Sequence, residues 1–274
     1  MPLKSVASAR LVSCQPMKCQ TPFFIWFHHR SGSTHLSSLL DSHPQIASWG
    51  EFFYRGEAGA PADIFTRSGQ PTEPQFLESF YAYRWDANGA KLCVDDPVPP
   101  LMPAVGFKLK YQQAETYPPV MNYLQQDSNV KAIHLIRTNL LSALVSAAMI
   151  PRLLKKFQRP NLINGESPGE VERRVELNPE TVLDELQELE SRIERGRQAM
   201  SGFKTLEITY EDLVRSSSLT CKKVLEFLNV DADSELDSRY VKIMPQSIRQ
   251  SLSNGEAVAD ALQGTRYAHM LEED

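Results

Sequence analysis

Arg30-Ser31-Gly32-Ser33-Thr34 follows an apolar run and places one cation, three hydroxyls and a glycine in consecutive positions. Where a buried strand ends in a small-residue turn and a helix begins, backbone N–H groups converge near the positive end of the helix dipole, a point that suits an oxyanion. Gly32 lets the backbone approach a ligand closely, Ser33 and Thr34 offer hydroxyl donors, and the Arg30 guanidinium can fork onto phosphate oxygens. Phosphate binding is the chemistry these residues imply. The alternative is a helix N-cap, in which serine or threonine satisfies the first N–H groups with no ligand present. The nucleoside-triphosphate loop G-x-x-x-x-G-K-[ST] is not matched: a first glycine is missing, and the basic residue precedes Gly32 by two positions. A small-molecule kinase on a P-loop scaffold therefore stands only as an alternative.

A second cluster lies in "HLIRTNLLSALVS". Arg137 sits where a strand is expected to end, and Ser142 and Ser146 are one helical turn apart, so they share a face. An arginine at the carboxyl end of a strand points into the crevice where open α/β sheets bind ligands, although taken alone Arg137 can equally pair with a carboxylate. Ser142 is the lesser of the two serine candidates. For a proton acceptor the chain offers Glu51, with the imidazoles of His28, His29 and His43 as rivals. A lone glutamate is also a common surface residue, and His28 or His29 can simply pack under the loop. No metal is expected, because the histidines lack the further ligands that zinc needs. Lys108 and Lys110 alternate onto one strand face, either toward a ligand or into solvent. Arg152, Lys155, Lys156 and Arg159 steer an anion or form a wetted surface.

The elements that must position these residues are legible from periodicity. "PFFIWF" (22–27) is a continuous apolar run, as expected of a strand buried on both faces, and Leu36, Leu39 and Leu40 follow at helical spacing. "VKAIHLI" (130–136) leads in the same way into "LLSALVSAAMI". Further strands are expected at "VGFKLKY" (105–111) and "FKTLEITY" (203–210), and an amphipathic helix over 180–200. Strands alternating with helices predict one α/β domain over 1–274, P-loop-like, with a mostly parallel central sheet flanked by helices. Residues 1–20 form an N-terminal extension, and 55–104 and 151–180 form long loops or short helices that shape an acceptor site.

Together "HRSGSTHLSSLLDSHP" and "IHLIRTNLLSALVS" resemble the two nucleotide-binding signatures of sulfotransferases that use 3′-phosphoadenosine 5′-phosphosulfate (PAPS), in particular the bacterial and carbohydrate-type branch. "LEITYEDLVRSSSLTCKKVLEFLNV" resembles a third family segment of strand, turn and helix. The resemblance implies that Arg30, Ser31, Gly32, Ser33 and Thr34 cradle the 5′-phosphosulfate and that Arg137 with Ser146 holds the 3′-phosphate. It implies Glu51 as catalytic base and 3′-phosphoadenosine 5′-phosphate (PAP) as the nucleotide product. Arg30 can supply charge to the leaving nucleotide. The chain departs from the cytosolic animal enzymes in carrying His29-Arg30 where they have Pro-Lys, in a longer Arg137–Ser146 spacing, and in lacking their arginine-glycine tail motif. The acceptor implied is a hydroxyl, or an amine, on a small molecule or a sugar. A secondary metabolite such as a cationic alkaloid, attracted by Asp95-Asp96, belongs to that range. A nucleotide-binding protein without chemistry is the further alternative.

Bulk composition narrows the partners. With 29 basic against 34 acidic residues there is no polyanion-coating excess, so nucleic acid is not an expected partner. No apolar run reaches the roughly twenty residues needed to span a bilayer, and no signal peptide is read at the N-terminus. Cys14, Cys19, Cys93 and Cys221 have neither disulfide density nor metal spacing, which fits reduced thiols in a cytoplasmic protein. Oligomeric state is not encoded in any of these features.

Overall fold

In the computed structural model, residues 21–53, 64–82, 102–166, 172, 174–241 and 247–272 are described. The apolar runs become strands β1 (Thr21–Phe27), β2 (Ile46–Glu51), β3 (Ala104–Lys110), β4 (Lys131–Ile136), β5 (Leu162–Ile163), β6 (Lys204–Thr209) and β7 (Tyr240–Val241). Five of them form one sheet in the order β2-β3-β1-β4-β6, and every pairing within it is parallel. The remaining two, β5 and β7, pair antiparallel.

Between and after the strands run α1 (Ser33–Asp41), α2 (Ile64–Ser68), α3 (Glu73–Tyr81), α4 (Tyr111–Thr116), α5 (Pro118–Gln126), α6 (Leu140–Ala148) and α7 (Ile150–Phe157). They are followed by α8 (Val182–Ala199), α9 (Tyr210–Arg215), α10 (Ser217–Leu228), α11 (Ile248–Ser251) and α12 (Gly255–Leu262). The period-2 alternation of strands sends successive side chains to opposite faces. Phe24, Trp26, Phe107, Leu109 and Ala132 join one core with buried residues of α3, α5, α6, α8 and α12, whereas Phe23, Ile25, Phe27, Ile133 and Leu135 join another with α1 and α10. Both faces are covered, as a parallel sheet requires. This is the α/β architecture that the alternation of elements predicts.

Several boundaries differ from the sequence reading for local reasons. Tyr111 and Tyr210 open helices rather than closing strands. At the first, the Gln113 side chain turns back to accept from Lys110 N; at the second, the Thr209 side chain accepts from Asp212 N as an N-cap. The segment 55–104 is partly helical: α3 has Thr72 as N-cap, a proline in its first turn, and Phe76, Leu77, Phe80 and Tyr81 buried. In the segment 151–180, Pro151 sits in the first turn of α7, where a proline starts a helix rather than breaking one. Residues 54–63 and 83–101, with Cys93 and Asp95-Asp96, lie outside the described residues, as do Cys14 and Cys19. Cys221 is a free, buried thiol, and no described helix is long and apolar enough to cross a membrane.

From β1 the chain serves β2 and β3 on one side and β4 and β6 on the other. The loops after β1 and β4 therefore diverge, and a crevice opens between the carboxyl ends of these neighbouring strands. The sheet is tight beneath that point: a Cβ on Gly106 would stand 2.4 Å from the Phe23 ring carbon Cδ2. Gly106→Ala is expected to lose about 1–3 kcal/mol through overpacking, read as a lowered urea midpoint with an unchanged slope.

Candidate active site

All five strands of the sheet deliver a residue to one cavity of about 530 Å³ at their carboxyl ends. Glu51 comes from β2, Lys110 from β3, the Arg30–Thr34 loop from β1, Arg137 from the end of β4, and Tyr210 from the end of β6. Ser146 of α6 and Ile150 and Leu154 of α7 line the same space from one side.

The loop after β1 is built around two residues with positive φ, Arg30 at 61° and Gly32 at 89°. The first is uncommon for a residue with a Cβ. The second needs glycine twice over, because a Cβ there would also lie 2.3 Å from Tyr210 Cδ2. Gly32 is the N-cap of α1 and no side chain caps the helix, so Ser33 and Thr34 do not play the capping role open to them. The first-turn N–H groups therefore have no side-chain cap at the positive end of the helix. Ser31 is fully buried, and its Oγ has no hydrogen-bond partner.

Two guanidinium groups flank this loop. Arg30 Nε donates to Ser146 Oγ at 2.9 Å, and its Nη1 donates to Pro160 O at 3.1 Å and Asn161 Oδ1 at 3.3 Å. Arg137 donates from Nη1 to Arg30 O at 3.3 Å and lies 4.5 Å above the Tyr210 ring, while its buried Nε has no partner. Arg137 and Gly32 thus stand on the same side of the sheet and in the same cavity. Every acceptor of Arg30 is neutral, and neither arginine forms a salt bridge with a described carboxylate. Burial, reinforced by the charge of Arg137, lowers Arg30 to about 10; burial also lowers Arg137, opposed by Tyr210 and Glu211. Ser142 does not line the cavity.

Opposite them is a carboxylate held by two lysines. Glu51 ends β2 in register with Lys108 of β3. Its Oε2 receives Gln113 Nε2 at 2.7 Å and Lys110 Nζ at 3.1 Å; Lys108 Nζ stands 3.6 Å from its Oε1 and donates to Thr34 Oγ1 at 3.1 Å. Burial pushes the Glu51 carboxyl upward, but Lys108, Lys110 and Gln113 together outweigh it and hold it below its ordinary value. Lys108 is itself buried against Glu51 and Thr34, and Lys110 lines the cavity, so the pair does not form a solvated face. Arg30, Arg137 and Lys110 line the cavity with Glu51, Lys108 lies behind Glu51 and Thr34, and the Glu211 carboxylate sits under the turn that carries Arg137.

The histidines separate by position. His28 is buried, with Nδ1 on His29 O at 2.9 Å and Nε2 accepting from Arg137 N at 3.2 Å, so it ties the ends of β1 and β4 together from below. His43 precedes β2 and bonds Asp231 O at 2.9 Å and Gln45 N at 3.0 Å, at the amino end of that strand, and does not line the cavity. His29 lines the cavity; burial and then the charges of Lys110, Arg192 and Arg30 lower its pKa. No group of three or more potential metal ligands gathers among the described residues. Of the distal basic cluster, Arg159 pairs with Glu166 and Arg152 bonds Glu172 O at 2.9 Å, so these two are engaged in local structure.

Sequence reasoning missed Tyr210 and Glu211. The Glu211 carboxylate accepts Thr138 N at 3.0 Å and Asn139 N at 3.1 Å, fixing the turn that carries Arg137, while Tyr210 packs between Gly32 and Arg137. Their signal was available: "TYED" follows a strand at the same structural position as "HHRSG" and "RTN". Gln113, Pro160 and Asn161 carried no such signal.

Burial lowers His28 to about 3 and His134 to about 4. For His134 the desolvation outweighs Glu207, so its 2.9 Å contact is the hydrogen bond of a neutral imidazole. Both native values lie below the unfolded value of about 6.5, so as pH falls through 6.5 the unfolded chain takes up protons that the native state refuses. Stability should fall between pH 6.5 and 4.5, each histidine contributing at most ~1.4 kcal/mol per pH unit. Urea midpoints across that range check this, and His28→Asn should flatten the slope.

No family model and no curated protein matches the chain. Among solved structures it is similar to a sulfotransferase from Alicyclobacillus acidocaldarius, at 14% identity over 93% of this chain and 97% of that one, with a TM-score of 0.47. It is similar to the sulfotransferase domain of the curacin biosynthetic pathway at 16% identity over 93% and 84% of the two chains, TM-score 0.44. A retinol dehydratase in complex with retinol and PAP is similar at 14% identity over 90% and 83%, TM-score 0.38.

Proposed function

We propose that the protein transfers a sulfuryl group from PAPS to a hydroxyl, or an amine, of a small-molecule or carbohydrate acceptor and leaves PAP as product. The observation that carries this reading is the pair Arg30 and Arg137, desolvated side by side with no carboxylate in salt-bridge range among the described residues. Two like charges side by side repel one another, so a ligand with two separate anionic groups offsets both. The unpartnered Ser31 Oγ and Arg137 Nε fit the same ligand, since each is a donor waiting for an oxygen.

The residues present suit the two ends of the nucleotide. Arg30, Ser31 and the first N–H groups of α1, with Ser33 and Thr34, would hold the phosphosulfate; Arg137 and Ser146 would hold the 3′-phosphate. When bound, PAPS supplies an activated sulfuryl group on a phosphate leaving group. Arg30 and Lys108, which already reaches Thr34 Oγ1, place positive charge where negative charge grows on that phosphate. Glu51, ionised at neutral pH, accepts the proton of the attacking acceptor. Any lysine that turns from Glu51 toward the bound anion leaves that carboxylate a stronger base. His29 and His35 also line the cavity, and burial lowers both imidazoles.

Calorimetric titration with PAP, followed by labelled PAPS against a panel of phenols, sugars and amines, tests the reading. Arg137→Ala is expected to weaken PAP about 10- to 100-fold, the scale of a charge-assisted hydrogen bond. Glu51→Gln is expected to lose about 10²–10⁴ in turnover while PAP still binds. Full turnover in Glu51→Gln passes the role to His29, and binding of magnesium-ATP with none of PAP overturns the reading in favour of a kinase.

A further inference from the structure

Gln113 lies outside every sequence motif, yet it is buried and both ends of its amide are committed. Its Oε1 accepts Lys110 N at 3.0 Å and so closes the first turn of α4; its Nε2 donates to Glu51 Oε2 at 2.7 Å. The first bond settles the orientation of the second. A flipped amide would point an N–H at the Lys110 N–H and an oxygen at a carboxylate, two repulsive contacts, so the helix cap forces the donor toward Glu51. The turn is braced from behind by Tyr111, the first residue of α4, whose hydroxyl bonds His134 Nε2 at 2.6 Å while His134 Nδ1 meets Glu207 Oε2 at 2.9 Å. The two oxygens of Glu51 have different partners: Oε2 takes Gln113 Nε2 at 2.7 Å and Lys110 Nζ at 3.1 Å, whereas Lys108 Nζ stands 3.6 Å from Oε1.

We infer that Gln113 is a positioning residue: by capping α4 it pins Glu51 Oε2 and leaves Oε1 as the oxygen that takes the acceptor's proton. The inference rests on the reading of Glu51 as the base. Around that carboxylate stand Lys108 and Lys110 from β3, Gln113 from α4, and His29 and Arg30 from the loop after β1. With Lys108 and Lys110 in place in all variants, the contribution of Gln113 is isolated by changing its donor alone.

Two variants separate positioning from packing. Gln113→Glu keeps an oxygen to cap Lys110 N but replaces the donor with a like charge; Gln113→Leu removes cap and donor together. The readouts are the carboxyl ¹³C titration of Glu51 in the full chain, assigned by its disappearance in Glu51→Gln, and the acid limb of turnover with PAPS and a phenol acceptor. Loss of one charge-assisted hydrogen bond is expected to raise the Glu51 titration by about one pH unit in Gln113→Leu, and by more in Gln113→Glu. The acid limb should move upward with it. A Glu51 titration and acid limb unchanged in Gln113→Glu, with only stability reduced in Gln113→Leu, would overturn the inference. The base reading fails separately: Glu51→Gln then turns over as the parent does, whatever the titrations show.

Discussion

Two half-buried guanidinium groups without a carboxylate in salt-bridge range among the described residues set the terms for the rest of this structure. Buried charge is tolerated only when something offsets it, and here Arg30 has neutral oxygens and Arg137 has an aromatic face and a backbone carbonyl. Those contacts hold the side chains in place without cancelling their charge. The loop between them adds uncapped helix N–H groups, and the carboxylates nearby, Glu51 and Glu211, are taken up by two lysines and by the backbone of the Arg137 turn.

The fold supplies the conditions for that arrangement. A parallel sheet directs all its carboxyl ends to one side, and the divergence of the chain at β1 and β4 opens the space between them. Beneath the loop the packing leaves little slack: Gly32 meets Tyr210, His28 bridges β1 to β4, and Glu211 fixes the turn before Asn139, which caps α6. The cations are thus carried on rigid ends of strands, and their repulsion is contained by the sheet rather than relieved by movement.

The opposite wall works by a different balance. Glu51 is the ion-pair partner of two lysines, one of which also reaches Thr34, so its basicity depends on where those lysines point. A ligand that draws Lys108 away changes the carboxylate without touching it. Coupling of this kind needs only Coulomb's law at short range in a partly dry cavity.

By itself the sequence determined the α/β class, β1, β4 and β6 to within a residue or two, and the identity of the two loops that carry Arg30 and Arg137. These features are local: a strand's apolar run, a helix's period and a small-residue turn are written in consecutive residues. Spacing put Ser142 and Ser146 on one helix face, but Ser146 alone of the two lines the cavity. It left β2, α3 and α7 unread, since short segments with scattered proline have weak periodicity and a proline in a helix's first turn looks like a break. Tertiary structure alone decided that Lys108 is buried against Glu51 and Thr34, that His43 sits at the amino end of β2, away from the cavity, and that Tyr210, Glu211 and Gln113 belong to the site. Each of those facts is a contact between segments far apart in the chain, set by strand order and register, which no spacing along the sequence contains.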